Sequence, residues 1–135
     1  MATDIADAVA MNRRIAGDLP ERVVEIFDRA EEGLDRIEAT PTQMAEVADT
    51  IRGNERIARK ELQISAREAL RALSNGPVTV PKLGQSVFLR LPRLYDTYTM
   101  HDAILVPAHK SRQTDGILTN DENIRRFDGE AVVWK

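Results

Sequence analysis

Between Thr40 and Gly76 the chain carries a helix start at one end and a helix stop at the other. Thr40 is fit to cap free backbone N–H groups, Pro41 stands where a missing N–H costs nothing, and Gln43 follows at the spacing of a capping box. Ser74-Asn75-Gly76-Pro77 offers a glycine for the left-handed position after a helix, then a residue that cannot continue one. Between these signals Met44, Val47, Ala48, Ile51, Ala58, Leu62, Ala66, Ala69, Leu70 and Leu73 recur at three- and four-residue steps. The spacing predicts one helix over 41–75, about 50 Å long at roughly 1.5 Å per residue. Gly53 and Asn54 weaken its centre, because glycine costs about 1 kcal/mol against alanine inside a helix. Beyond them Ile57 and Ile64 open a second apolar stripe, and a helix apolar on two sides touches two things.

The flanks divide by period. Thr3 is expected to cap a short helix ended by Gly17, and Asp18-Leu19-Pro20-Glu21 to open a second, with Val23, Ile26, Phe27, Ala30, Leu34 and Ile37 on one stripe. After Pro77 the period falls to two. Val78 and Val80, the run Val87 to Leu91, Tyr95 to Met100 and Ala103 to Val106 read as short strands, and Ala108 to Asp115 as a polar, basic loop. Gly116-Ile117-Leu118 reads as a strand, Thr119-Asn120-Asp121-Glu122 as a capping box opening a short helix, and Glu130 to Trp134 as a last strand. The expected fold class is therefore α+β. An N-terminal helical hairpin with one long helix fills 1–76, and a small β-rich module, a short-stranded barrel or sandwich with one short helix, fills 77–135.

Composition narrows the function classes. Five of the six aromatic residues follow Pro77, so the helical half must pack on small aliphatic side chains, which suits coiled-coil-like helix contacts. The absence of cysteine excludes disulfide staples, cysteine zinc sites and thiol catalysis. No run approaches the roughly 18 apolar residues of a membrane span, which places the chain in a reducing cytoplasm or in a particle assembled there. The net charge is −3; residues 1–76 hold 15 acids against 11 Lys and Arg, and 77–135 hold 7 against 8. Neither half has the field of a protein dominated by nucleic acid.

No chemical motif stands out. His101-Asp102 with Asp96, Asp115 and His109 have no spacing that encodes their convergence, and the seven glycines are scattered singly. No nucleophile elbow or zinc-binding helix is present. The chain is therefore expected to be no enzyme, with no cofactor, no metal and no small-molecule substrate. The architecture resembles in kind the small assembly proteins of tailed-phage particles, and implies a structural subunit of a larger complex: a virion or phage head or tail adaptor, connector, cement or fibre-anchoring protein. Its partners would be copies of itself or other proteins of the same assembly, through Ile51, Ile57, Leu62, Ile64, Leu70, Leu73, Tyr95 and Tyr98. The alternative is a small nucleic-acid-binding regulator using Arg56, Arg59, Lys60, Arg67, Lys110 and Arg112.

Overall fold

The computed structural model describes residues 1–52, 56–57, 60–61, 65–89, 104–127 and 131–134. In chain order they form β1 (Thr3–Ala6), α1 (Ala8–Ala16), α2 (Glu21–Glu31), β2 (Arg36–Glu38), α3 (Pro41–Arg52), β3 (Arg56–Ile57), β4 (Lys60–Glu61), α4 (Ala66–Ser74), β5 (Val78–Thr79), α5 (Gln85–Leu89), α6 (Leu105–Arg112), β6 (Gly116–Leu118), α7 (Glu122–Phe127) and β7 (Val132–Val133). Five strands make one sheet in the order β5-β2-β1-β6-β7, and each of its ladders is parallel. Among the described residues only β3 and β4 pair antiparallel, apart from that sheet. The class is α/β, which corrects the expected α+β. The first strand of the chain pairs directly with β6 from its last quarter, so helices and strands are interleaved rather than gathered into two halves.

A parallel sheet must be covered on both faces, and the strand register shows how this one is. Ile37 and Gly116 pair with Asp4, and Leu118 pairs with Ala6; these residues look toward α1, α2, α3 and α4. That face packs Ala6, Ile37 and Leu118 against Met11, Val23, Phe27, Val47 and Leu73. Ile5 and Ile117 point the other way, onto Val87, Leu105, Ala108 and Ile124 of α5, α6 and α7.

The long helix over 41–75 does not form. Its start and stop signals are honoured, since α3 begins at Pro41 and α4 ends at Ser74. The chain nevertheless leaves α3 at Arg52, one residue before Gly53, and Ser65 caps α4 afresh by accepting from Glu68 N at 3.2 Å. Two helices lying on one sheet face repeat the same apolar stripe as a single long one. Other expected elements also change type. The residues read as a helix from Thr3 are β1, with Asp7 as the actual cap of α1. The second helix ends at Glu31, and Gly33, at φ 77°, turns the chain into β2. Val87 and Leu89 lie in α5, and the apolar run from Leu105 begins α6 rather than a strand. Pro107 is tolerated there because it stands in the first turn, where its N–H has no helical partner to lose. Ala108 to Arg112, expected as loop, continue that helix. The strand at 116–118 and the helix after Thr119 form as expected.

One residue of the central strand is out of character. Asp4 is 6% exposed, with Gly116 beside it. A Cβ on Gly116 would sit 2.6 Å from Asp4 Oδ1 and 3.2 Å from Ala131 O, so no other residue fits there without a shift. Burial first, then the nearby charges of Asp115 and Asp35, push the Asp4 carboxyl up to about 6, and Arg22 pulls it down in part. A carboxyl raised in the folded chain stabilises it fully below its unfolded value of 3.8, and that contribution is lost as pH rises through about 6. Asp4→Asn is therefore expected to raise stability at pH 7.5 by roughly 1–3 kcal/mol and to flatten its dependence between pH 4 and 6. Urea unfolding across that range checks both.

Candidate active site at the switch point of the sheet

From β1 the chain steps outward to β2 and β5, then returns to the other side of β1 for β6 and β7. The C-terminal ends of β1 and β6 therefore flank the topological switch point, where open parallel sheets present their ligand crevice. Asp7 follows β1 directly and Thr119 follows β6 directly. Both are buried, Asp7 at 4% and Thr119 at 0% exposure.

The two residues are hydrogen-bonded side chain to side chain. Asp7 caps α1 with Oδ1, which accepts from Ala10 N at 2.8 Å. Its Oδ2 accepts from the Thr119 hydroxyl at 2.5 Å. The same Thr119 oxygen accepts from Asp121 N at 3.1 Å, which sets the half-buried Asp121 just ahead of α7. A single hydroxyl thus donates to the Asp7 carboxylate and accepts from the Asp121 backbone N–H.

A third acid approaches on α3. Thr40 Oγ1 accepts from Gln43 N at 3.1 Å, the first half of the expected capping box. The Gln43 carboxamide turns elsewhere: its Oε1 accepts from Ala8 N, next to Asp7, at 2.7 Å. Glu46, half-buried, lies one turn further along the same side of α3. Asp7 and Asp121 are thus joined through Thr119, and Glu46 follows on α3; among the described residues no three His, Cys, Asp or Glu side chains form a group that could hold a metal ion as they stand.

The residues expected from sequence lie elsewhere. Ile51 and Leu73 are buried in the core beneath α3 and α4, and Leu70 packs against it; they hold this chain together and are not surface for another. Ile57, Arg56 and Lys60 belong to the small β3–β4 pair, while Leu62, Ile64, Arg59, Tyr95, Tyr98, Asp96 and the His101-Asp102 pair lie outside the described residues. Arg67 and Lys110 are exposed on α4 and α6. Arg112 is committed to Glu38, with Nε at 2.9 Å and Nη2 at 2.7 Å from its two carboxylate oxygens; donating to that carboxylate raises the guanidinium pKa further. His109 Nδ1 lies 2.5 Å from Thr114 Oγ1, and Asp115 Oδ2 accepts from Thr3 N at 2.7 Å. Both serve the opposite end of the sheet, where β1 and β6 begin.

Sequence reasoning missed all three acids. Asp7 was hidden because β1 was read as helix. Asp121 reads in the sequence only as part of a capping box, and Glu46 carries no local signal that singles it out. The usable signal was the pair of strand-then-cap junctions at Ala6-Asp7 and Leu118-Thr119, which a parallel sheet brings to one edge.

No protein-family model and no curated protein matches the sequence. The fold, however, is similar to the crystal structure of VapC20 from Mycobacterium tuberculosis, a sarcin-ricin loop cleaving toxin. The TM-score is 0.64 at 11% sequence identity, over 94% of this chain and 95% of that one. The likeness establishes a PIN-domain-like α/β fold with strand order 3-2-1-4-5. It overturns the description as a non-enzymatic virion or phage subunit, the assembly partners, and the coiled-coil stalk on which they rested. That description needed a long two-sided helix. The chain has instead two shorter helices, α3 and α4, packed on one face of a parallel sheet. Of the two earlier readings, the nucleic-acid one is the better supported. Among the described residues no helix is long and apolar enough to cross a membrane.

The Glu38–Arg112 pair separates structure from recognition. Glu38 is 1% exposed, and removing one partner of a buried pair leaves a charge uncompensated. Arg112→Ala is expected to cost about 2 kcal/mol, below the fully buried range because Arg112 itself is partly exposed. Lys110→Ala is expected to cost less than about 0.5 kcal/mol. Parallel urea titrations distinguish the two.

Proposed function

We propose that this chain is an endoribonuclease whose active site is the crevice between the C-terminal ends of β1 and β6. The observation that carries the proposal is the Asp7–Thr119–Asp121 constellation at the switch point, with both oxygens of Asp7 held by donors. Such bonds orient a carboxylate before any substrate arrives, which is where most of the advantage of a preorganised site lies. The fold it shares with a toxin that cleaves the sarcin-ricin loop supports RNA as the substrate class. By the same likeness, a protein antitoxin that silences the site is the proposed partner, and the cytoplasm, where both are met, the proposed location.

Three carboxylates facing a phosphodiester would repel it, so the donor set fits a hard divalent cation. Asp7, Glu46 and Asp121 would hold Mg²⁺ or Mn²⁺, which when bound stabilises charge on phosphoryl oxygens and lowers the pKa of water. Mg²⁺ sites commonly use one or two carboxylates and complete their shell with water and substrate phosphate. The chain's own contribution is positional. Thr119 keeps the Asp7 and Asp121 segments at one spacing. Glu46 supplies the carboxylate from α3, while water adds to phosphorus, the bond to the leaving ribose oxygen breaks, and that oxygen takes up, through solvent, the proton the water loses.

The test is cleavage of a stem-loop RNA by the purified chain with Mg²⁺ or Mn²⁺. Asn retains the capping oxygen for Ala10 N, so Asp7→Asn is expected to keep the fold while lowering cleavage at least about 100-fold. Asp121→Asn is expected to do the same, and chelation to abolish activity. Thr119→Ser should retain most of the activity and Thr119→Val little. An unsubstituted chain that leaves every RNA intact, or Asn variants that cut as fast as it does, defeats the proposal.

A further inference from the structure

Gln43 is a polar side chain buried to 1% exposure in the first turn of α3. A glutamine three residues after a threonine cap ordinarily reaches back to the N–H of that cap. Here it leaves its own helix. Its Oε1 accepts at 2.7 Å from Ala8 N, the first amide of α1, 35 residues away in sequence. Ala8 directly follows Asp7, and Glu46 stands one turn beyond Gln43 on the same side of α3. The bond thus ties the start of α1, next to Asp7, to the helix that carries Glu46. Helix packing alone does not require it. Val47 and Ile51 of α3 and Met11 of α1 already bury apolar surface in the shared core.

We propose that Gln43 is a positioning residue that fixes Glu46 relative to Asp7, and so sets how strongly the site holds a divalent cation and how fast it turns over RNA. The inference rests on the nuclease reading above. It goes beyond that reading by assigning a role to a neutral residue that touches neither substrate nor ion. Groups that orient ligating carboxylates change metal affinity by about 10- to 100-fold when removed. A residue that merely stabilises α3 does not.

The experiment compares Gln43→Met, which matches the side chain in length but offers no oxygen, with Thr40→Val, which removes the Thr40 cap of α3 without touching Ala8. Both are expected to lower thermal stability. Mn²⁺ binding, read by calorimetry without RNA, is expected to weaken about tenfold or more in Gln43→Met and to stay within about threefold in Thr40→Val. Under saturating Mn²⁺, kcat for a stem-loop RNA should fall in Gln43→Met while KM changes little, and neither should move much in Thr40→Val. If Gln43→Met does not fold, Gln43→Asn, which draws the same carboxamide back by one carbon, is read by the same measurements. A Gln43 variant that loses only stability, with Mn²⁺ affinity and kcat intact, overturns the proposal alone. Failure of the unsubstituted chain to bind Mn²⁺ and cut RNA overturns the nuclease reading and this inference with it.

Discussion

The hydroxyl of Thr119 is the smallest part of the molecule on which the rest of the site depends. It donates to the Asp7 carboxylate, 112 residues away in sequence, and accepts from the Asp121 backbone N–H, so one oxygen joins the end of β1 to the start of α7. A hydroxyl is suited to this because it is donor and acceptor at once. A second carboxylate at 119 would repel Asp7, and an amide would need more room than a fully buried position offers. Everything outward from this oxygen follows an ordinary rule. Asp7 caps a helix, Asp121 precedes one, and both helices start where parallel strands end.

The two ends of the β1–β6 ladder are in tension. At the C-terminal end the acids are held by donors; at the N-terminal end Asp4 is buried beside a glycine with two further acids near it. The charges there are partly answered by backbone. Asp115 Oδ2 accepts from Thr3 N, and Asp35 Oδ1 accepts from Ala2 N at 3.0 Å while Arg29 holds its other oxygen. These contacts tie the start of the chain to the loops before β2 and β6. They account for how a strand of only four residues, with an aspartate in it, keeps the central place in the sheet.

The sequence declared its punctuation more plainly than its periods. Thr40-Pro41, Gly76-Pro77, Gly17 and the box at Thr119 each mark a boundary that the structure keeps, because caps and stops act through the local backbone. The stretches between them were ambiguous. Met44, Val47 and Ile51 on α3 and Ala69 and Leu73 on α4 face the same core, so their phases continue each other as if no break lay between. The apolar run from Ile104 to Val106 is too short for periodicity to separate a buried strand from the first turn of a buried helix. β1 was the least legible, since Thr3-Asp4-Ile5-Ala6 is only four residues long and shows no alternation of polar and apolar side chains. Its identity comes from pairing on both sides, which is tertiary. With β1 unread, Asp7 had no strand end to stand on, and the crevice could not be seen.

Register connects these points. Asp4 lies opposite Gly116 and Ala6 opposite Leu118, so the next step along the same ladder brings Asp7 level with Thr119. A slip of one residue would set Leu118 or Asn120 against Asp7 and turn every side chain of β6 to the wrong face. Gly116 is the position that forbids the slip. Only a residue without a Cβ accommodates Asp4 Oδ1 on one side and Ala131 O on the other. A glycine and a costly buried aspartate at one end of the strand pair thus act on the Asp7–Thr119 register three residues away. The electrostatic strain at Asp4 is tolerable because the same close fit holds Asp7 and Thr119 in line.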